Sequence, residues 1–245
     1  MNEKILIEYD DFNSKIFGMK FGNISDYEKD ITSEDIIKII TNSEFDFLGF
    51  KIDSKDFKTI YNFQKAGFYL VDCLVTYEFD SNKVPIPNDD FDISFAQQIE
   101  HKDISRLANI AADVFRIDRF HSDPNLSREN ADEYYRSWVI NSFNGFADGA
   151  ILPMINNKIV GFTTFKINNV DVQTSTMVLS AVDSEYMGQG VYYNMIKKGT
   201  LELLKQSKKI RVGTQVDNIP VQRTWQKLGY KLIEIKYVLH FTNSK

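Results

Sequence analysis

Two glycines one residue apart, Gly188 and Gly190, stand in EYMGQGVYYNMIK (185–197), directly after the apolar run TMVLSAV (176–182). A strand, a glycine turn and a helix start can hold an anion. The first N–H groups of a helix have no intrahelical partners, and the helix dipole adds positive potential there. Glycine admits a ligand close to the backbone, so a pyrophosphate fits without a lysine. The same residues also make an ordinary tight connection, and spacing alone leaves both readings open. The motif is not the dinucleotide fingerprint, because Tyr193 stands where a third glycine would fall. No Gly-Lys-Ser/Thr follows, so it is not a P-loop either.

A second group of reactive side chains lies in FRIDRFHSDP (115–124), which brings together Arg116, Asp118, Arg119, His121 and Asp123. Histidine titrates near neutrality and arginine can clasp a phosphate with two hydrogen bonds. The plain alternative is a solvated loop. His101 and His240 fall at an expected helix start and in a terminal strand, so no metal-ligand spacing emerges. Cys73, the single cysteine, lies in the apolar run FYLVDCLVTYEF (68–79) and reads as a buried core thiol. No GxSxG motif or Ser-His-Asp arrangement is visible.

These groups need elements to position them. SNKVPIPNDDFD (81–92) holds two of the five prolines and is the best linker, dividing an N-terminal domain (1–82) from a second domain (93–245). In the first, TSEDIIKIITN (32–42) reads as a helix with a capping box, FDFLGFKI (45–52) as a strand, SKDFKTIYNFQKAG (54–67) as a helix stopped by glycine, and 68–79 as a strand. In the second, 101–115 and 127–143 read as helices and 154–168 as a hairpin turned at Asn156–Asn157. There, 171–182 reads as a strand, 190–209 as a helix with Tyr192, Ile196, Gly199 and Leu203 on one face, 209–216 as a strand, 217–229 as a short helix, and 230–241 as a strand or pair of strands.

Composition narrows the class. With 43% hydrophobic and 26% charged residues in 245, the chain can bury a globular core. A net charge of −5 argues against nucleic acid as a partner, and KQSKKIR (205–211) reads as a solvated helix end. MNEKILIEYD lacks the pattern of a signal peptide and no apolar run is long enough for a membrane helix, so a cytoplasmic protein without a membrane partner is expected.

The order of the last elements is more specific than the glycines. LSAVDSEYMGQGVYYNMI (179–196) followed by VGTQVDNIPVQRTWQKLGY (212–230) resembles the C-terminal half of the GNAT N-acetyltransferase superfamily. IEYDDFNSKIFGMKFG (7–22), QKAGFYLVDCLVTYEFD (64–80) and DVFRIDRFHSDP (113–124) extend the resemblance to bacterial TDP-fucosamine acetyltransferases, which act on the amine of a nucleotide-linked amino sugar. The resemblance implies a mixed α/β fold: a central, mostly antiparallel, splayed sheet flanked by helices, preceded by a smaller α/β domain. It also implies acetyl-CoA as co-substrate, no metal, a small amine acceptor and a homodimer.

Residue by residue, it implies that Ala181, Val182, Met187, Gly188, Gln189, Gly190, Val191 and Tyr192 hold the cofactor, with Asn218 near its pantetheine arm. The Val182 N–H would serve the thioester carbonyl oxygen. Within the turn, two departures from the family pattern stand out. Met187 replaces an amide or charged residue, and Tyr192 a small one. Trp225 occupies the position of the tyrosine that acts as general acid in many relatives, and an indole N–H does not give up its proton near neutral pH. Tyr192 and Tyr193 are the nearest replacement hydroxyls, and Arg119, Phe120 and His121 match the acceptor side. Two other readings remain: a GNAT enzyme for another amine (polyamine, antibiotic or protein), and a catalytically silent acyl-CoA-binding module.

Overall fold

The computed structural model describes residues 4–168 and 173–243. Asp171 and Val172, the first residues of the expected strand 171–182, lie outside them, as do Met1–Glu3 of the expected first domain. The chain runs β1 (Ile5–Tyr9), α1 (Asp11–Phe17), β2 (Phe21–Tyr27), α2 (Ser33–Thr41), β3 (Phe47–Asp53), α3 (Phe57–Lys65) and β4 (Tyr69–Asp80). Next come β5 (Ser94–Ala96), α4 (His101–Val114), α5 (Arg128–Asn141), β6 (Gly149–Ile155), β7 (Lys158–Ile159) and β8 (Gly161–Ile167). The remainder is β9 (Thr174–Val182), α6 (Val191–Leu203), β10 (Lys209–Gln215), α7 (Ile219–Lys227) and β11 (Lys231–Thr242).

Contacts group these elements into two units. One is formed by the described residues up to Leu74, Ile117–Ala131 and those from Ile235 onward; the other by Val75–Arg116 and the described part of Asp132–Glu234. The expected boundary at 83–92 is therefore not where the contacts divide the chain. Segment 81–92 belongs to the second unit. Its Asp90 accepts from Lys197 Nζ through both backbone oxygen (2.7 Å) and carboxylate (2.6 Å), and the ammonium also lies over the Phe91 ring at 5.0 Å.

In the first unit β1 pairs antiparallel with β2, β2 parallel with β3, and β3 antiparallel with β11, from Lys236↔Asp53 to Thr242↔Phe47. Alternation along the strands gives the sheet two faces. Leu48, Phe50, Ile52 and Leu239 turn to one face and join Ile36, Ile40, Ile60 and Phe63 of α2 and α3 in a single core. Phe47 and His240 turn to the other, where the rings of Phe21, Phe47, His240 and Phe120 pack in sequence at 4.3, 4.7 and 6.2 Å. Local signals fix the helices. Thr32 and Asp35 form the expected capping box of α2. Asp10 caps α1, which ends on Gly18 in the left-handed conformation. That turn explains the IFGMKFG stretch: it lets Phe17 and Phe21 stack at 5.1 Å.

Two buried carboxylates brace segment 117–131. Asp118 accepts the Phe120 N–H (2.9 Å) and pairs with His121 Nδ1. Asp123 accepts the Asn125 N–H (2.8 Å) and the Tyr69 hydroxyl (3.0 Å), and pairs with His240 Nδ1 (2.7 Å).

In the second unit the strand order is β4-β10-β9-β8-β6-β5, with β7 pairing β6. β10 and β9 are parallel; β8–β9, β6–β8, β5–β6 and β6–β7 are antiparallel. The β6–β7 hairpin turns at Asn156 and Asn157, both with positive φ (49° and 60°), as the sequence predicts. The fold is thus mixed α/β with a splayed, mostly antiparallel sheet and flanking helices. Among the described residues no helix is long and apolar enough to cross a membrane.

The His240–Asp123 pair makes stability of the first unit depend on pH. Burial lowers the pKa of His240 below 6.5, with the Asp123 bond opposing it. Burial pushes Asp123 upward, but the bonds from His240 and the Asn125 N–H outweigh it and the net shift is below 3.8. Depressed folded pKa values mean stability that is present above the unfolded values and lost as pH falls through the folded ones. Wild-type stability to urea should therefore begin to fall below about pH 6.5, the ordinary histidine value. His240→Gln should flatten that decline and cost about 1–3 kcal/mol at pH 7.5 by loosening a buried carboxylate. Equal pH slopes in the two proteins would remove His240 as the cause.

Candidate active site

β9 and β10 pair over Thr174↔Lys209, Ser175↔Ile210 and Thr176↔Arg211, and the ladder then stops although both strands continue. A bulge accompanies the parting. Leu179 faces Thr164 and Met177 faces Phe165, so Val178 is an extra residue in β9. A bulge bends its strand and increases its twist. On the other side β9 stays paired with β8 to its end, at Gly161↔Val182.

The direction of the Val182 N–H follows from this ladder. Asp183 N–H donates to Val160 O at 2.9 Å, while Val160 N–H turns to Pro153 O; a bond at that place flanks a non-hydrogen-bonded Val182↔Gly161 pair. Ser180↔Thr163 is of the same non-bonded kind, and there the side chains meet, Oγ to Oγ1 at 2.6 Å. The N–H groups of Ser180 and Val182 accordingly point away from β8, to the side from which β10 has departed. A tight approach sustains the pairing: a Cβ on Gly161 would stand 2.7 Å from Ala181 O.

After Val182 the chain passes through a short 3₁₀ turn (Ser184–Tyr186) and Met187 to the glycine turn. Gly188 and Gly190 have φ of 77° and 79°, a region that side-chain-bearing residues avoid. A Cβ on Gly188 would meet nothing within 4 Å, and one on Gly190 only the Asn194 amide at 3.8 Å. Gly190 is the N-cap of α6, which has no side-chain cap and no acidic residue in its first turn. Asn194 turns its amide back to Gly190 O (3.1 Å) rather than to the helix-start N–H groups. The turn is therefore an open, uncapped helix start that an anionic group fits. The Gln189 side chain donates to Glu185 O (2.9 Å) and the Met187 side chain is exposed, so what the turn offers an anion is backbone.

Beside the parted strands the first turn of α6 meets α7. Burial raises the pKa of the Tyr192 hydroxyl well above 10; the Trp225 indole and Ser180 hydroxyl lie against it and oppose the shift without cancelling it. Trp225 is 2% exposed, and its Nε1–H reaches no acceptor in hydrogen-bond geometry. The indole thus approaches Tyr192 without completing a bond. Tyr193 lies elsewhere, its ring under Lys227 Nζ at 5.0 Å. Asn218 caps α7 by position only, its amide donating to Thr214 Oγ1 (3.0 Å). The structure so brings together Ala181, Val182, the glycine turn, Tyr192 and Trp225, and sets Tyr193 apart. Ser180 and Thr163 complete the group; strand parity was their only sequence signal.

Arg119, Phe120 and His121 belong to the other unit. Phe120 is buried in the aromatic row, while the Arg119 guanidinium lies over its ring at 4.5 Å. The His121 side chain is 4% exposed and engaged by Asp118. Among the described residues no cluster of His, Cys, Asp and Glu is placed to hold a metal.

Comparison with known proteins bears on this arrangement. The pattern of the Acetyltransferase (GNAT) family matches residues 109–230. The chain is 24% identical over 147 residues to the spore coat polysaccharide biosynthesis protein SpsD of Bacillus subtilis, a match covering 60% of this chain and only 50% of that protein. A conserved protein of unknown function from Staphylococcus epidermidis has a similar structure, with TM-score 0.65 at 13% identity over 99% of this chain and 92% of that one. The GCN5-related N-acetyltransferase of Kribbella flavida gives TM-score 0.60 at 12% identity over 92% and 82%. At such identities the structures speak to fold, and the family pattern speaks to membership: this chain carries a GNAT acetyltransferase domain.

Proposed function

We propose that the protein is an acetyl-CoA-dependent N-acetyltransferase whose acceptor is the amine of a nucleotide-linked amino sugar. The observation that carries the reading is the end of β9, where the Val182 N–H faces away from β8 past the end of the β10 ladder and the chain then enters an uncapped glycine turn. Acetyl-CoA, when bound, supplies an acetyl group already activated as a thioester. The backbone of Gly188–Tyr192 holds its pyrophosphate, aided by the helix dipole rather than by side chains. The Val182 N–H donates to the carbonyl oxygen as negative charge develops on it.

Tyr192 is the proton source on this reading. Burial keeps the phenol protonated at neutral pH, so it holds a proton to give and cannot serve as the base. The Trp225 indole and the Ser180 hydroxyl lie against the phenol, which places it beside the parted strands. The acceptor class rests on the likeness to the spore coat polysaccharide biosynthesis protein and on the match of Arg119, Phe120 and His121. A different amine, or a silent acyl-CoA-binding module, is what failed turnover would leave.

Acetyl-CoA near a hundred times its dissociation constant should stabilise the protein by about 2.7 kcal/mol. That is readily seen as a saturable thermal shift, and no shift at millimolar acetyl-CoA would end this reading. Tyr192→Phe should lower kcat by about 10²-fold, within the usual range for losing a general acid, while acetyl-CoA gives the same thermal shift. Unchanged kcat would show that the thiolate leaves without the phenol.

A further inference from the structure

We infer that Lys51 and Arg119, with Lys236 beside them, form an anion site on the first unit that takes the phosphate groups of the acceptor. This deepens the reading above by assigning the diphosphate of a nucleotide-linked sugar to named side chains, and its acceptor identity rests on that reading.

The β3–β11 register places the group. Lys51 faces Val238 and Lys236 faces Asp53, so both lysines stand as diagonal neighbours on one face, the face that also carries Phe47 and His240. Phe120 packs on His240 from that side and carries the Arg119 guanidinium over its own ring. The sheet thus presents the Lys51 ammonium, with Lys236 as its diagonal neighbour, and the loop brings a guanidinium to that face. Among the described residues neither Lys51 nor Arg119 has an ion pair. The loop's own carboxylates are spent inward, Asp118 on His121 and Asp123 on His240. Asp53 accepts from the Lys55 N–H at 2.8 Å.

The cations are close enough to act on each other. The charge of Arg119, then partial burial, then the charge of Lys236, pull the Lys51 ammonium down to about 8, with Asp72 opposing. The residue keeps an exposed surface, so repulsion rather than desolvation is the cause that matters. Lys51 is still mostly protonated at pH 7. Like charges held side by side cost stability, and an anion placed between Lys51 and Arg119 would offset that cost. A guanidinium fork beside a compact ammonium suits a diphosphate.

The test is calorimetric titration of uridine diphosphate into protein saturated with coenzyme A, so that the glycine turn is already filled. Lys51→Ala and Arg119→Ala, each checked for wild-type circular dichroism, should weaken uridine diphosphate binding about tenfold or more, as loss of a charge-assisted contact does. Both should leave acetyl-CoA affinity unchanged. Wild-type binding should weaken between pH 7 and 9 as Lys51 loses its proton, and Lys51→Ala should lose that dependence. Equal binding by wild type and variants, or no wild-type binding at millimolar uridine diphosphate, overturns the site. Weakened acetyl-CoA binding with unaffected dephospho-coenzyme A would assign the cations to the coenzyme's 3′-phosphate and overturn the acceptor role. Uridine diphosphate binding that depends on both residues, in a protein that does not bind acetyl-CoA, would keep the site and remove the acetyltransferase reading.

Discussion

The parting of two parallel strands is the constraint on which the second unit depends. Had β9 and β10 stayed in register beyond Thr176 and Arg211, the Val182 N–H would be consumed by a neighbouring carbonyl. Leaving a polar backbone group unmade inside a protein costs about 1–3 kcal/mol, so the group must meet water or a ligand. The cost is contained because β8 holds the other edge of β9 to its last residue, helped by the Thr163–Ser180 contact and the close approach at Gly161. The result is a donor fixed in direction before anything binds, which is what an electrostatically organised site requires.

Two of the departures from the family pattern, Trp225 and Tyr192, make physical sense together. Trp225 fills the space in α7 with an indole that cannot pass on a proton, and Tyr192 brings a hydroxyl to that indole from α6. Each substitution alone reads as damage: a lost acid in one case, a crowded turn in the other. Their side chains meet, so the loss and the gain fall in one place. The incomplete bond at Trp225 Nε1 means that a small shift of Tyr192 would satisfy a buried donor.

Much of this was legible in the chain. α2, α3, α7 and the β6–β7 hairpin carry strong local signals: a capping box, glycine stops and paired asparagines. β1, α1, β2 and β5 did not emerge. β1 is short and mostly exposed, with only Ile5 fully buried, so its alternation is faint. α1 has seven residues and owes its limits to Asp10 and Gly18 rather than to periodicity. The glycine turn was legible as a motif, but the free face of Val182 depends on where a ladder ends. No local pattern encodes that. Lys51 and Lys236 are 185 positions from each other and meet Arg119 only through strand register, so the cationic group was invisible as sequence.

The exchange of segments between the units has a consequence for synthesis. β3 leaves the ribosome early, yet its partner β11 is made only after the whole of β5 to α7. Until then the aromatic row lacks His240 and the core lacks Leu239, both buried in the finished first unit. Long-range pairing of this kind is slow because loop closure precedes any gain from contact. The nascent first unit therefore waits with one edge of β3 unpaired, which makes it the part of the chain most exposed to chaperones and to misassociation during translation.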